Sequence, residues 1–373
     1  MRKLYYFKFL VTLFVFYLII NTNSKALDSL KAGGSSWIVT SLNNPAPGYI
    51  RLDWTMPNYF YLIDNYGKMQ FGDSTNKNRS FLFKPLTNGQ WISYVGNNYL
   101  LYDENMKLVD SIPFPKSYIV DPHEVTVLSN GHYLLLCQEN VFVDLSKIVK
   151  GGQENAQIIS NVLIETDRTG TIYWLWKAYD YLKITDVTPD IDLTQLSIDY
   201  THINSFEDTQ DGNILISFRH LDEITKINKK TGQIIWRLGG SMCKNNQFTF
   251  LNDSNNDNNG FVGFSHQHSV SLLANGDLLM LDNGNLKNPP YSRAVEYKID
   301  ETLKTVKKVW EYRNSPDIYQ YIMGSAFRLS NGNTLINWGN SKMTEVKPDN
   351  SVAFDLRINT GQVSAPSVYR AYR

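Results

Sequence analysis

Residues 121–136 read DPHEVTVLSNGHYLLL: an ordered run, an Asn130-Gly131 turn, then a second ordered run. The same sentence returns as THINSFEDTQDGNILIS from Thr201 and as HQHSVSLLANGDLLML from His266. His123 and His268 each stand eight residues before the turn glycine (Gly131 and Gly276), and His202 stands ten before Gly212. Asn-Gly or Asp-Gly between β-rich runs marks a hairpin, because a type I′ turn needs positive φ at both central residues. Working outward, the turn recurs in LTNGQWISYV (Asn88-Gly89) and LSNGNTLINW (Asn331-Gly332). A second hairpin follows each: LYDENMKLVDS, IETDRTGTIYWLW, KINKKTGQIIWRL, DETLKTVKKVWEY and EVKPDNSVAFDLR. Two hairpins make a four-stranded sheet. About six such units fit after residue 30, at about 57 residues each against ~40–45 for the commonest propeller repeats. The pattern predicts an all-β fold, a six-bladed β-propeller of four-stranded antiparallel blades with long inter-strand loops. Five or seven blades are the alternatives, because LIDNYGKMQF (62–71) has no partner for its first hairpin.

Aromatic residues make up 13% of the chain, which suits pleated surfaces. With 36 basic and 36 acidic residues and no Lys/Arg run, a nucleic-acid or anionic-membrane footprint is not expected. Arg2 and Lys3 precede an apolar run from Phe9 to Ile20, with Ser24 and Ala26 after it. That reads as a secretory signal peptide over 1–26 and a single propeller domain over 27–373, secreted or periplasmic. The alternative is an uncleaved anchor, although the run is short for a span of about 20 residues. Cys137 and Cys243 fall in different blades; Cys137, mid-strand, reads as a small buried hydrophobe. The Asn/Asp-rich stretch 245–261 reads as a solvated loop rather than a lid.

Equivalent positions in a closed ring converge on one axis. His123, His202 and His268 all precede their turn by a strand's length, so they are expected at one mouth of the central channel. Arg219 lies at the end of GNILISFRH and should return beside His202. Asn204 is two residues along from His202 and shares its face. Asp282 and Asn283 hold the fifth-blade place that Arg219 holds in the fourth, and His266 shares a face with His268. Asn204, His266 and Asn283 are therefore expected to bind substrate. A guanidinium among three imidazoles suits a tetrahedral oxyanion rather than a metal, and one neutral imidazole could act as a nucleophile toward a sulfuryl or phosphoryl centre. No metal and no cofactor are expected. His220 is expected to point away from Arg219, His132 to be a solvated turn residue, Glu124 to be scaffold, and Trp176 and Trp236 to pack between blades.

At these residues the chain resembles the bacterial arylsulfate sulfotransferase family, exported PAPS-independent six-bladed propellers. The resemblance rests on DPHEVTVLSNG, on THINSFEDTQDGNILISFRHLDEITKINKKTGQIIWRLGG and on FSHQHSVSLLANGDLLMLDNG, roughly residues 121–285. It implies an aryl sulfate ester as donor and a phenol as acceptor. It also implies a ping-pong reaction through a sulfohistidine at His268, with His202, Arg219 and His123 holding the sulfuryl group. The best-known members carry an additional N-terminal β-sandwich, for which this chain is expected to have no room, and a closely spaced cysteine pair that is absent here. The first departure leaves the oligomeric state and part of the substrate rim open.

Two other readings compete. The D-x-x-TG pattern in TDRTGTIYWLW and the related INKKTGQIIWRL resemble the tryptophan-docking repeats of quinoprotein-like propellers. A non-catalytic binding or adhesion propeller would keep the ring and lack transfer activity.

Overall fold

The computed structural model describes residues 36–373 apart from 55–58, 74–79, 87, 96–97, 254–259 and 360–366. The segment read as a signal peptide lies outside the described residues. Six antiparallel sheets follow one another along the chain as the blades of a six-bladed propeller. Blades 2 to 6 each begin with the predicted Asn-Gly or Asp-Gly hairpin. Their innermost strands are Ser80–Pro85, Ile119–Val127, Ile203–Asp208, His268–Leu272 and Ser325–Arg328. The turn glycines Gly89, Gly131, Gly212, Gly276 and Gly332 all have φ between 75° and 86°, the region that selects glycine.

The missing partner of the first blade comes from the other end of the described chain. Val368–Tyr372 pairs antiparallel with Ile50–Trp54 and forms the innermost strand of blade 1. Ser36–Leu42 pairs in turn with Val352–Asn359 as a fifth, outermost strand of blade 6. No local hairpin signal exists for either pairing, which is why the first blade was hard to read. Each innermost strand touches the next, and Val368–Tyr372 closes the circle between Ser325–Arg328 and Ser80–Pro85. Blades 3 and 5 also gain short parallel strands at Ser197–Asp199 and Thr249–Phe250.

Apolar surface is buried mainly between blades. Trp176 is buried against Phe218 of the next blade, and its indole N–H donates to the Gly232 carbonyl there at 3.0 Å. Trp236 packs in the cluster shared by blades 4 and 5, with Phe248 beside it. Cys137 and Cys243 are both buried and free. The Asn/Asp-rich stretch departs from a solvated loop: Phe248 and Phe261 are buried, and Asp253 binds the Arg293 guanidinium through both oxygens at 3.0 and 2.8 Å. Residues 254–259 of it lie outside the described set. No helix among the described residues is long and apolar enough to cross a membrane.

The closing strand also fills the channel. Arg370 donates to Glu124 Oε2 of blade 3 at 2.7 Å, to the Asn204 carbonyl of blade 4 at 2.6 Å and to Ser269 Oγ of blade 5 at 3.0 Å. Lys84 of blade 2 reaches the other Glu124 oxygen at 2.8 Å. Glu124 is thus scaffold, as expected. Near this cluster Glu207 accepts the Leu272 N–H at 2.7 Å. Burial raises its pKa from 4.5 to about 7, against the lowering pull of the Leu272 amide, Lys84 and Arg370, with Glu124 adding to the rise.

Between pH 4.5 and 7 the folded protein therefore holds a proton at Glu207 that the unfolded chain has released. Stability falls as pH rises through that window, by on the order of 3 kcal/mol. Glu207→Gln, which keeps an acceptor for Leu272, is expected to raise the melting temperature at pH 8 and leave it nearly unchanged at pH 5. Equal shifts at both pH values would refute a buried ionisation here.

Candidate active site

The three histidines sit where the innermost strands depart from regular geometry. His123 lies in a register break of Ile119–Val127 opposite Tyr133–Val143. His202 immediately precedes Ile203–Asp208 with φ 47°, and His266 and Ser269 flank His268 with φ 54° and 55°. Bulges of this kind re-aim side chains out of the pleat, and residues other than glycine at positive φ concentrate at functional sites. The His123 and His202 rings are 4.9 Å apart, edge to face. The charges of Arg219, His202 and His123 all reach His268. The four residues of the sequence reading are thus gathered at one place.

Each imidazole is fixed from behind, but by different groups. His123 Nδ1 meets Asp121 Oδ1 at 2.5 Å, and Asp121 is held by Gln138 and Asn161. His202 Nδ1 meets Asp199 Oδ2 at 2.6 Å. A carboxylate behind Nδ1 sets the ring orientation and can compensate positive charge that develops on it. His268 has an amide instead: its Nδ1 lies 2.8 Å from Asn283 Oδ1 and 3.1 Å from the His266 carbonyl. The Asn283 amide nitrogen donates to the Gln320 and Met323 carbonyls, so its oxygen must face His268. Two acceptors at Nδ1 place the proton there. Nε2 is left with its lone pair, toward which the Met323 N–H points at 3.2 Å. Burial, with the nearby Arg219 charge, holds His268 well below the ordinary imidazole range.

Arg219 returns beside His202 as the antiparallel pairing requires, its N–H donating to the His202 carbonyl at 3.0 Å. The strand ends at Phe218, and Arg219–Leu221 is a 3-10 turn. Its guanidinium Nη2 donates to the Tyr321 carbonyl at 2.8 Å, whereas Nε is buried with no hydrogen-bond partner. The turn also overturns the reading of His220, which rested on strand alternation. The His220 ring lies 4.6 Å from that of His202, with Nδ1 on the Asp199 carbonyl at 2.6 Å. Burial, then the His202 and Arg219 charges, push it down to about 3 despite Asp199.

The remaining predicted residues hold the site together from within. Asn204 is fully buried; its amide donates to the Gln267 carbonyl at 2.6 Å, and a register break after Ile203 interrupts the alternation. The His266 ring is buried between Asp190 and Asp222, each at 3.0 Å. Burial alone would lower its pKa, but the two carboxylates raise it overall. Asn283 is fully engaged with His268, Gln320 and Met323. His132 is not simply a solvated turn residue: Nδ1 meets Glu165 at 2.8 Å and the ring packs on Tyr173.

Sequence reasoning missed Asp121, Asp199 and the segment carrying Tyr321 and Met323. The two aspartates were visible as DPH and DYTH, two and three residues before their histidines; nothing in the sequence linked residues 320–323 to His268. Among the described residues one group could hold a metal ion, Asp199 with His202 and His220. The site as a whole offers two neutral imidazoles, His268 and His220, two carboxylate-backed imidazoles and an unsatisfied guanidinium N–H. That set can receive a tetrahedral anion and transfer a group to nitrogen.

The profile of the arylsulfotransferase (ASST) family matches residues 15–370. The arylsulfate sulfotransferase AssT of Escherichia coli O6:H1 (strain CFT073) is 24% identical, with 80% of this chain and 60% of the relative covered. That of Lelliottia amnigena is also 24% identical, covering 72% of this chain and 54% of the relative. The chain thus spans little more than half the length of these relatives. A crystal structure of a Bacteroides caccae protein of unknown function superposes with a TM-score of 0.53 at 11% identity, covering 87% of this chain and 98% of that one. That likeness concerns the fold alone.

Proposed function

The chain belongs to the arylsulfotransferase family, and from that premise we propose that it transfers a sulfuryl group from an aryl sulfate ester to a phenol without PAPS. The reading is supported above all by one juxtaposition: a neutral imidazole with its proton fixed at Nδ1, beside a buried guanidinium with an unpartnered Nε–H. His268 Nε2 attacks the ester sulfur, the S–O(aryl) bond breaks, and His202 protonates the departing phenolate. The phenol product leaves a sulfohistidine. A second phenol then attacks that sulfur and passes its proton to His202, and the N–S bond breaks. Arg219 and His123 bind the equatorial oxygens, where charge resides in a loose transition state. For attack, the Met323 N–H must give up its place at Nε2, so residues 320–323 lift as the donor enters. The same reading includes export to the periplasm or cell exterior through residues 1–26.

The test is incubation of the protein with 4-nitrophenyl sulfate, with and without phenol and without PAPS. Nitrophenol release that depends on phenol is the expected result. Folded protein that releases none with several phenols would overturn the reading. Arg219→Lys, which loses the planar fork and the Nε–H, is expected to reduce kcat/KM by about 10²-fold.

A further inference from the structure

His202 belongs to a second constellation. Asp199, His202 and His220 each present a donor atom within 4.8 Å of the other two. A metal was set aside on sequence grounds because Arg219 adds positive charge. Two facts change that balance. The Arg219 guanidinium is tethered to the Tyr321 carbonyl, and the Asp199 carboxylate, unforeseen, brings a negative charge to the two imidazoles.

The details are those of a metal site. His220 Nδ1 donates to a backbone carbonyl, that of Asp199, at 2.6 Å. A metal-bound imidazole makes this outer hydrogen bond, because it leaves the Nε2 lone pair free and aims it. Asp199 holds His202 through Oδ2, while its Oδ1 is buried with no hydrogen-bond partner. Two imidazoles and one carboxylate, with a fourth position open, suit Zn²⁺ and its neighbours in the first transition row.

We infer that Asp199, His202 and His220 form a binding site for a divalent transition-metal ion. Donors bound at about 2.0–2.1 Å stand roughly 3.5 Å apart, so the three side chains must draw together by about an ångström. That cost points to a dissociation constant on the order of micromolar rather than the tighter values of preformed structural sites. The site is therefore a place where metal acts reversibly. Coordination takes His202 out of the sulfuryl pocket, whether through Nε2 or by displacing Asp199 from Nδ1. Zn²⁺ then inhibits transfer. Inhibition rests on the proposed activity; binding does not.

The experiment is calorimetric titration of ZnCl₂ into the chelator-treated full chain, with His220→Gln and Asp199→Asn in parallel and His132→Gln as a control. The expected result is one saturable site, weakened at least tenfold in both variants and unchanged in the control. Co²⁺ should give visible d–d absorption that His220→Gln abolishes. In the transfer assay, His220→Gln should tolerate at least tenfold more Zn²⁺ than the wild-type protein. No saturable binding, or equal affinity in wild type and both variants, would overturn the site. An inactive protein that still binds Zn²⁺ through these residues would count against the transfer reading alone.

Discussion

His268→Ala is expected to abolish phenol-dependent release of nitrophenol, lowering kcat by about 10⁴-fold or more, as loss of a covalent nucleophile does. The size of the effect follows from the arrangement around the ring. Asn283 and the His266 carbonyl hold the proton at Nδ1, an arrangement that His123 and His202 do not share. His123 and His202, each with a carboxylate behind it, are built to carry developing charge and cannot substitute. The variant should remain folded. It leaves Asn283 Oδ1 without its donor, at a cost of about 1–3 kcal/mol, so its circular dichroism should match the wild type. Donor alone, quenched before phenol is added, should leave one sulfuryl group on His268 in the wild-type protein. Undiminished release by His268→Ala would remove the nucleophile assignment. Loss of release without any trapped adduct would point to direct transfer between donor and acceptor.

Arg370→Met is expected to be the most destabilising single change, by about 3–5 kcal/mol, the usual cost of leaving a buried charge unpaired. Burial works against ionisation of Glu124, but Arg370 first and Lys84 second hold its carboxyl below the ordinary range. Without Arg370 that carboxylate keeps only the partly buried Lys84 and the Val125 N–H. Ser269 Oγ loses its guanidinium donor in the same step, and the Asn204 carbonyl is left with the Tyr369 hydroxyl alone. Adding Glu124→Gln should recover part of the loss, and a denaturant double-mutant cycle measures how much. A single-variant cost below about 1 kcal/mol would mean that the cluster is solvated.

The ring was legible because five of its six blades announce themselves by a local turn. Asn130-Gly131, Asp211-Gly212 and Asn275-Gly276 fix both the count and the register of the histidines. The first blade was not legible, because Ile50–Trp54 finds its inner partner in Val368–Tyr372 and no local chemistry marks such a pairing. In the site, histidine spacing located His123, His202 and His268, and the antiparallel return located Arg219. What failed was the assumption of uniform alternation. His220 joins His202 because the chain leaves the strand at Phe218. Asn204 is turned into the blade 4–5 contact by the break after Ile203. Period-two reasoning holds only where the ladder is unbroken, and here the ladder breaks at the functional residues.

The closing strand has a bearing on how the protein is made. Ribosomal synthesis delivers blades 2 to 5 as consecutive hairpins, each able to form as it emerges. The strand Ile50–Trp54 emerges early and must wait for residues 368–372 before its inner edge is covered. For most of synthesis that edge is an open template for pairing with another chain, and its late capture is the kind of distant contact that slows folding. Arg370 arrives with the same segment. A nascent chain halted before it has its histidines but no floor beneath them, so competence for chemistry comes only when the circle is complete.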